Sequence, residues 1–96
     1  MMTKINQNTL TLSHTKGLIV YSRETCHLCQ DMILALKNLQ QQVSFDFQVI
    51  DIDTSSDLIT LYGERIPVLM SPMDNQEICH YFLDLTALDD YLSKLR

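Results

Sequence analysis

The stretch that decides the fold is LIVYSRETCHLC, residues 18–29. Its first half is an apolar run, and a strand that is apolar on both faces is typical of a central position in a sheet covered on both sides. Its second half ends in Cys26 and Cys29, which open a segment with helical periodicity. We therefore predict a buried strand over 18–22 that leads two thiols to the start of a helix, with Thr25 as the N-cap.

The position of Cys26 at a helix start predicts a reactive thiol. The first backbone N–H groups of a helix have no partner within it, and the positive end of the helix dipole lies there, so a thiolate is stabilised. A pKa lowered from about 8.5 to about 7 would raise the thiolate fraction at neutral pH from roughly 3% to roughly half. Cys29 lies one turn further along, within bridging reach and better shielded. Cys26 is therefore the predicted nucleophile.

Two other interpretations of the cysteine pair remain open at this point. Zinc sites also contain Cys-x-x-Cys, but they usually take a second pair or a Cys/His pair at suitable spacing. The third cysteine, Cys79, is followed by His80, and neighbouring residues on a strand point to opposite faces, so they would not converge on one metal. Two inert core cysteines are the second alternative. Cys79 itself fits an apolar filler better than a third redox thiol.

Composition and charge exclude several classes of function. The chain has 96 residues, with 7 Lys and Arg against 12 Asp and Glu, and a formal net charge of −5. This length suits one domain, and the missing basic cluster argues against binding to nucleic acid or an anionic membrane. No stretch approaches the roughly 20 apolar residues of a membrane span, and residues 1–16 lack the apolar core of a signal peptide. We expect a cytoplasmic protein, in which three cysteines do not form a structural disulfide framework.

Periodicity and turn residues outline the order of elements. A helix between two apolar strands makes a βαβ unit with parallel strands and a right-handed crossover, so the Cys pair lies at the carboxyl end of the first strand, where open α/β sheets place their chemistry. Residues 1–16 are interpreted as a polar tail with a strand-like alternation at 9–12, and residues 17–96 as the domain. The predicted strands are 18–22, 45–53, 66–70 and 77–81, and the predicted helices are 26–41, 58–62 and 85–95.

Local signals predict how the helices end and which faces they bury. Gly63 is expected to end the second helix in a left-handed conformation, and Asp84 is expected to cap the last helix. The last helix is predicted to bury Leu85, Leu88, Leu92 and Leu95. The apolar stripe of the first helix is predicted as Leu28, Met32, Ala35 or Leu36, and Leu39, with Ile33 widening it.

Two motifs resemble a known family. The segment YSRETCHLC at 21–29 is similar to the active-site segment of the glutaredoxins. The segment YGERIPVL at 62–69, together with Cys-x-Leu-Cys, is similar to the hallmarks of small bacterial glutaredoxin-like proteins. The resemblance covers residues 18–95 and implies an α/β, thioredoxin-like fold with a four-stranded mixed sheet in the order β-α-β-α-β-β-α. It also implies the activity of a thiol-disulfide oxidoreductase.

The resemblance assigns a role to the segment before the third strand. Pro67 matches the proline that precedes this strand in the cis form and faces the Cys pair. A cis bond costs little only before proline, and its bend leaves the backbone of Ile66 free to pair with an extended substrate. On the sequence alone, Pro67 is equally consistent with the start of an edge strand.

The chain departs from the family pattern where glutathione is bound. Glutaredoxins hold glutathione with a Thr-Val-Pro segment and a glycine-rich turn before the last helix, whereas this chain has Arg65-Ile66-Pro67 and Tyr81-Phe82-Leu83-Asp84. Backbone capture of glutathione is therefore not expected. Arg23 and Arg65 could bind its carboxylates or be solvated surface charges. His27 could favour the thiolate or shuttle a proton, or be an exposed residue with a mild influence.

The sequence as a whole predicts a glutaredoxin-like thiol-disulfide oxidoreductase. The expected substrate is a disulfide-containing protein or a small thiol, and the expected external reductant is glutathione or a thioredoxin reductase, with no tightly bound cofactor and no metal. One alternative is a binding module that keeps the fold and docks a partner strand with little turnover. Another is iron–sulfur or zinc binding through Cys26 in a dimer. The candidate catalytic residues are Cys26 and Cys29, and the candidate substrate-binding residues are Arg23, His27, Arg65, Ile66 and Pro67.

Overall fold

The computed structural model describes residues 17–73 and 75–94, and the predicted tail at 1–16 lies outside them. Strands and helices follow one another in the predicted order, giving a mixed α/β fold. None of the helices within these ranges combines the length and the apolar character that a membrane crossing requires. The elements are β1 (Gly17–Ser22), α1 (His27–Leu39), β2 (Asp46–Asp51), a 3₁₀ turn (Ile52–Thr54), α2 (Ser56–Tyr62), β3 (Val68–Ser71), β4 (Gln76–His80) and α3 (Leu85–Lys94).

The sheet brings the two sequence motifs to one end of the molecule. Its strand order is β2-β1-β3-β4, with β1 central and parallel to β2, and with β3 antiparallel to both β1 and β4. The register opposes Ser22 to Asp51 and Tyr21 to Val68. The chain that leaves β1 toward the cysteines therefore lies beside the chain that enters β3 from Pro67. We call this end of the sheet the thiol end.

The core lies on one face of the sheet, beneath α1 and α3. Alternate residues of β1 are fully buried on this face, whereas those on the other face are half-buried. The prediction that β1 is covered on both faces is therefore only half right. The second face is covered only in part, by the short helix α2. Burial of each large aliphatic side chain contributes about 1.5–3 kcal/mol. The core cluster consists of Leu18, Val20, Met32, Leu36, Phe45, Leu69, Leu88, Tyr91 and Leu92.

The start of α1 differs from the prediction by one residue. Cys26 is the N-cap, with an extended backbone at φ −99° and ψ 110°, and the helix begins at His27. Thr25 is therefore not the cap. The buried stripe begins at Cys29 and continues through Met32 and Leu36, while Leu28 is exposed. The buried stripe thus begins at Cys29 rather than at the predicted Leu28, because with Cys26 as the N-cap the side chain of Cys29 faces the core.

Gly63 ends α2, but not in the predicted left-handed conformation. Its φ is −54° and its ψ is −33°, which any residue can adopt. The reason for glycine is close approach, because a Cβ at this position would lie 2.6 Å from the carbonyl oxygen of Ile59. The described residues other than glycine with a positive φ are Asn75, in the β3–β4 turn, and Tyr81, directly after β4.

The last helix is capped as predicted but buries a different stripe. The carboxylate of Asp84 accepts a hydrogen bond from the backbone N–H of Ala87 at 3.0 Å. Leu85 is 59% exposed, and the buried residues of α3 are Leu88, Tyr91 and Leu92. Tyr91 enters the core because its hydroxyl forms a hydrogen bond with the hydroxyl of Ser71. Leu95, the last residue of the predicted stripe, lies outside the described residues.

Candidate active site

A tight turn presents Cys26 at the thiol end. The backbone N–H of Cys26 donates to the carbonyl of Arg23 at 3.1 Å, which reverses the chain after β1. The sulfur of Cys26 accepts a hydrogen bond from the backbone N–H of Cys29 at 3.1 Å. A sulfur thus takes the place that a Ser, Thr or Asp oxygen usually takes at a helix N-terminus. In the reduced protein, this contact and the helix dipole would both stabilise a negative charge on the Cys26 sulfur.

The two cysteines differ in exposure. They lie at disulfide distance, with their Cα atoms 5.2 Å apart. Cys26 is half-buried at the surface end of the pair, whereas Cys29 is 1% exposed. An external disulfide can therefore reach Cys26 but not Cys29, and Cys29 can reach Cys26. This asymmetry suits an attacking and a resolving thiol.

Pro67 lies beside the cysteine turn, and the Ile66–Pro67 peptide bond is cis. Because Tyr21 pairs with Val68, the residue before Val68 lies next to Ser22, from which the turn departs. Pro67 is buried, and its carbonyl accepts a hydrogen bond from the N–H of Tyr81 at 2.8 Å. Ile66 is half-buried. The structure thus brings both sequence motifs together at the thiol end.

Arg23 is paired at the surface with the chain's own Asp53. Its Nε lies 3.0 and 3.1 Å from the two carboxylate oxygens, and a terminal nitrogen lies 2.8 Å from Oδ1. This fork-like pairing raises the pKa of Arg23. Asp53 lies in the 3₁₀ turn, and its backbone N–H donates a hydrogen bond to the carboxylate of Asp51 at 2.9 Å. The residue that accepts the hydrogen bonds of Arg23 is therefore itself held in place.

Arg65, the second candidate substrate-binding arginine, is also engaged. Its guanidinium is paired with Glu77 on β4. The other carboxylate oxygen of Glu77 lies 2.8 Å from Nδ1 of His80. In the described structure both candidate arginines are therefore paired with carboxylates of the same chain. His27, by contrast, is exposed at the first position of α1.

Sequence reasoning did not foresee the role of Tyr81. Its φ is 65°, and the N–H of Phe82 donates to the carbonyl of His80 at 2.7 Å, which closes a three-residue γ-turn. A bulky residue in this conformation is strained. The phenol of Tyr81 donates to the carbonyl of Glu64 at 2.7 Å. Tyr81 therefore joins the end of β4 to the segment before Pro67. The sequence signal for this unusual turn was a tyrosine in the segment where the glutaredoxin pattern has glycine.

An aromatic contact joins β1 to α2 near the thiol end. The rings of Tyr21 and Tyr62 are stacked, with centroids 4.3 Å apart and planes 13° apart. Burial, and secondarily the neighbouring Tyr62, raises the pKa of Tyr21. The stack fastens the end of α2 to the end of β1, and so fixes the start of the segment that leads to Pro67.

The third cysteine stands apart from the pair. Cys79 lies opposite Leu69 in the sheet register and packs against the core. Burial raises the pKa of its thiol, although a backbone hydrogen bond from Asp84 opposes the shift. Within residues 17–73 and 75–94, no three His, Cys, Asp or Glu side chains converge in a way that could hold a metal ion.

Comparisons with known proteins agree with this geometry. The family model "Glutaredoxin-like domain (DUF836)" matches residues 17–93. Protein Ne2328 from Nitrosomonas europaea is 45% identical, with a TM-score of 0.71 over 78% of this chain and 88% of that one. Protein XcR50 from X. campestris is 35% identical, with a TM-score of 0.61 over 80% of this chain and 96% of that one.

A more distant likeness concerns the fold alone. Thioredoxin 1 from Thermosipho africanus TCF52B is 14% identical, with a TM-score of 0.56 over 81% of this chain and 96% of that one. A search among curated proteins found no match. The thioredoxin-like fold, the cysteine pair and the family match agree, and the chain belongs to the glutaredoxin-like domain family DUF836.

Proposed function

We propose that this protein is a thiol-disulfide oxidoreductase that uses Cys26 and Cys29 as its redox pair. The observation that carries the proposal is the unequal environment of the two sulfurs. The Cys26 sulfur caps α1 and accepts the N–H of Cys29 at 3.1 Å, while Cys29 is buried within disulfide distance. A stabilised, reachable thiolate next to a shielded partner is the arrangement that thiol-disulfide exchange requires.

The reaction proceeds in two exchange steps. The Cys26 thiolate attacks one sulfur of a substrate disulfide, a mixed disulfide forms, and the other substrate sulfur leaves as a thiolate that takes up a proton. Cys29 then loses its proton and attacks the sulfur of Cys26, which releases the second substrate thiol and leaves a Cys26–Cys29 disulfide. Two electrons pass from the protein to the substrate. Two equivalents of an external thiol, or a reductase, return the pair to the dithiol.

The thiol end also offers elements for substrate binding. The backbone of Ile66, next to the cis bond, is the proposed pairing edge for an extended substrate segment, which suits a disulfide-containing protein. His27, exposed one residue after Cys26, is the proposed proton carrier for the leaving thiolate. A small thiol is the alternative substrate, and glutathione or a thioredoxin reductase is the proposed reductant. We propose the reducing cytoplasm as the setting of this cycle.

Trapping of the mixed disulfide tests the proposed chemistry. Cys29→Ser protein, incubated with a disulfide-containing peptide, should accumulate a mixed disulfide on Cys26 that mass spectrometry detects, whereas Cys26→Ser protein should form none. Because Cys29 is buried, Cys29→Ala provides a second variant in case serine disturbs folding. Failure of both Cys29 variants to form the adduct, despite a folded circular-dichroism spectrum, would favour a binding module with little turnover.

A further inference from the structure

The two arginines lie in the two chain segments that meet at the thiol end. Arg23 begins the turn that ends at Cys26, with its carbonyl bonded to the N–H of Cys26. Arg65 lies two residues before Pro67, which the sheet register places beside Ser22. The remaining cationic side chains of the described residues, Lys37 and Lys94, lie in the last turns of α1 and α3. Among the Lys and Arg side chains of residues 17–73 and 75–94, these two arginines are therefore the ones in the segments that meet at the thiol end, where an anionic thiol would approach Cys26.

Both arginines are already neutralised by carboxylates of the same chain. Arg23 is bound to Asp53 through three contacts of 2.8 to 3.1 Å, and Arg65 is bound to Glu77. The two acceptors are anchored, since Asp53 belongs to the 3₁₀ turn capped by Asp51 and Glu77 also contacts His80. An anchored carboxylate acts at an effective concentration in the millimolar range or above, so a free carboxylate competes poorly with it.

We propose that Asp53 and Glu77 are specificity-determining residues that keep Arg23 and Arg65 from binding anionic thiols, and so favour neutral or cationic thiols and make glutathione a slow reductant of the cysteine pair. The proposal rests on the thiol-disulfide exchange proposed above. Glutathione carries two carboxylates and one ammonium group, and is the natural anionic probe. Its attack on the Cys26–Cys29 disulfide gives a mixed disulfide, and a second glutathione releases oxidised glutathione and the protein dithiol.

The test compares three thiols on the oxidised protein: glutathione, neutral 2-mercaptoethanol and cationic cysteamine. Asp53→Asn and Glu77→Gln should each raise the rate constant for glutathione about threefold, the size expected when the released arginine gains one exposed ion pair with glutathione. The rate constant for 2-mercaptoethanol should stay unchanged, and that for cysteamine should not rise. The gain should shrink as the salt concentration is raised toward 1 M, since exposed charges are then screened.

Glu24→Gln is the matched control. Glu24 lies nearer to Cys26 in the chain than Asp53 does, is exposed, and its replacement removes one negative charge without releasing an arginine. The proposal expects no glutathione gain from this variant. An equal gain from Glu24→Gln, or no gain from Asp53→Asn and Glu77→Gln, would overturn it. Failure of all three thiols to reduce the pair would instead reject the proposed function, so the two failures are distinguishable.

Discussion

The backbone N–H of Cys29 donates a hydrogen bond to the sulfur of Cys26, with the two atoms 3.1 Å apart. The cap of α1 and the proposed nucleophile are therefore the same atom. Cys29, which would attack Cys26 with its own sulfur, would thus also stabilise a Cys26 thiolate through its backbone N–H. Both consequences follow from one spacing, because a residue three positions after the N-cap supplies the N–H that a capping side chain binds.

The first prediction concerns the reactivity of the three thiols. In the reduced protein at pH 7, Cys26 should react with iodoacetamide at least about tenfold faster than Cys29 or Cys79, because it alone combines access with a charge-stabilising helix start. Peptide mass spectrometry over a time course measures each rate. Equal rates, or Cys79 as the fastest site, would contradict the assignment of Cys26 as nucleophile.

The second prediction separates the capping role of Cys26 from its chemistry. Cys26→Ser retains an acceptor for the N–H of Cys29, whereas Cys26→Ala has none. Under reducing conditions the alanine variant should therefore have a free energy of unfolding about 1 kcal/mol lower than the serine variant. Urea unfolding of both proteins provides the comparison, and neither should turn over substrate. Equal stabilities would mean that the sulfur contact does not stabilise the helix.

The third prediction concerns pH and the buried thiol of Cys79. Burial raises the pKa of Cys79 in the folded protein, so the folded state keeps this proton to a higher pH than the unfolded state does. Its contribution to stability is full below the unfolded pKa of about 8.5 and is lost as the pH rises toward the folded pKa. Between pH 7.5 and 9.5, Cys26→Ser protein should lose more stability than Cys26→Ser/Cys79→Ala protein. Parallel losses in urea unfolding would exclude ionisation of Cys79 as a cause.

The fourth prediction concerns the strained backbone at Tyr81. Alanine would keep the cost of a positive φ, whereas glycine adopts φ 65° freely. Tyr81→Gly should therefore be more stable than Tyr81→Ala by about 1 kcal/mol, the reverse of the order at ordinary positions. Urea unfolding measures the difference. If the alanine variant is as stable as the glycine variant, then the γ-turn does not persist without the tyrosine.

The sequence was sufficient for the features that depend on local pattern. The apolar run before Cys26 predicted the central strand, and helical periodicity after it placed the thiols at a helix start. The cap was misplaced by one residue, because Thr25 matches the usual capping residues and a cysteine sulfur does not. Asp84, a usual capping residue, was assigned correctly.

The features that were missed depend on parts of the chain that meet only in the fold. Arg23 and Asp53 are 30 residues apart and pair because the parallel strands β1 and β2 end side by side. Tyr81 takes a conformation that its own propensity opposes, because the carbonyls of Glu64 and Pro67 hold its hydroxyl and its N–H. Periodicity carries no information about such contacts, so the sequence could not distinguish paired arginines from free ones.

The last prediction concerns Gly63, where close approach rather than a positive φ requires glycine. The added methyl group of Gly63→Ala would lie 2.6 Å from the carbonyl oxygen of Ile59, so the end of α2 must shift. The free energy of unfolding should fall by about 1–3 kcal/mol, as for other overpacked sites. The shift also reaches the segment that leads to Pro67, so reduction of a disulfide peptide should slow more than the reaction of Cys26 with iodoacetamide. Ser56→Ala, at the opposite end of α2, is the control and should leave both rates unchanged. If Gly63→Ala is as stable as the parent protein, then the turn after α2 accommodates a Cβ and the close approach does not explain the glycine.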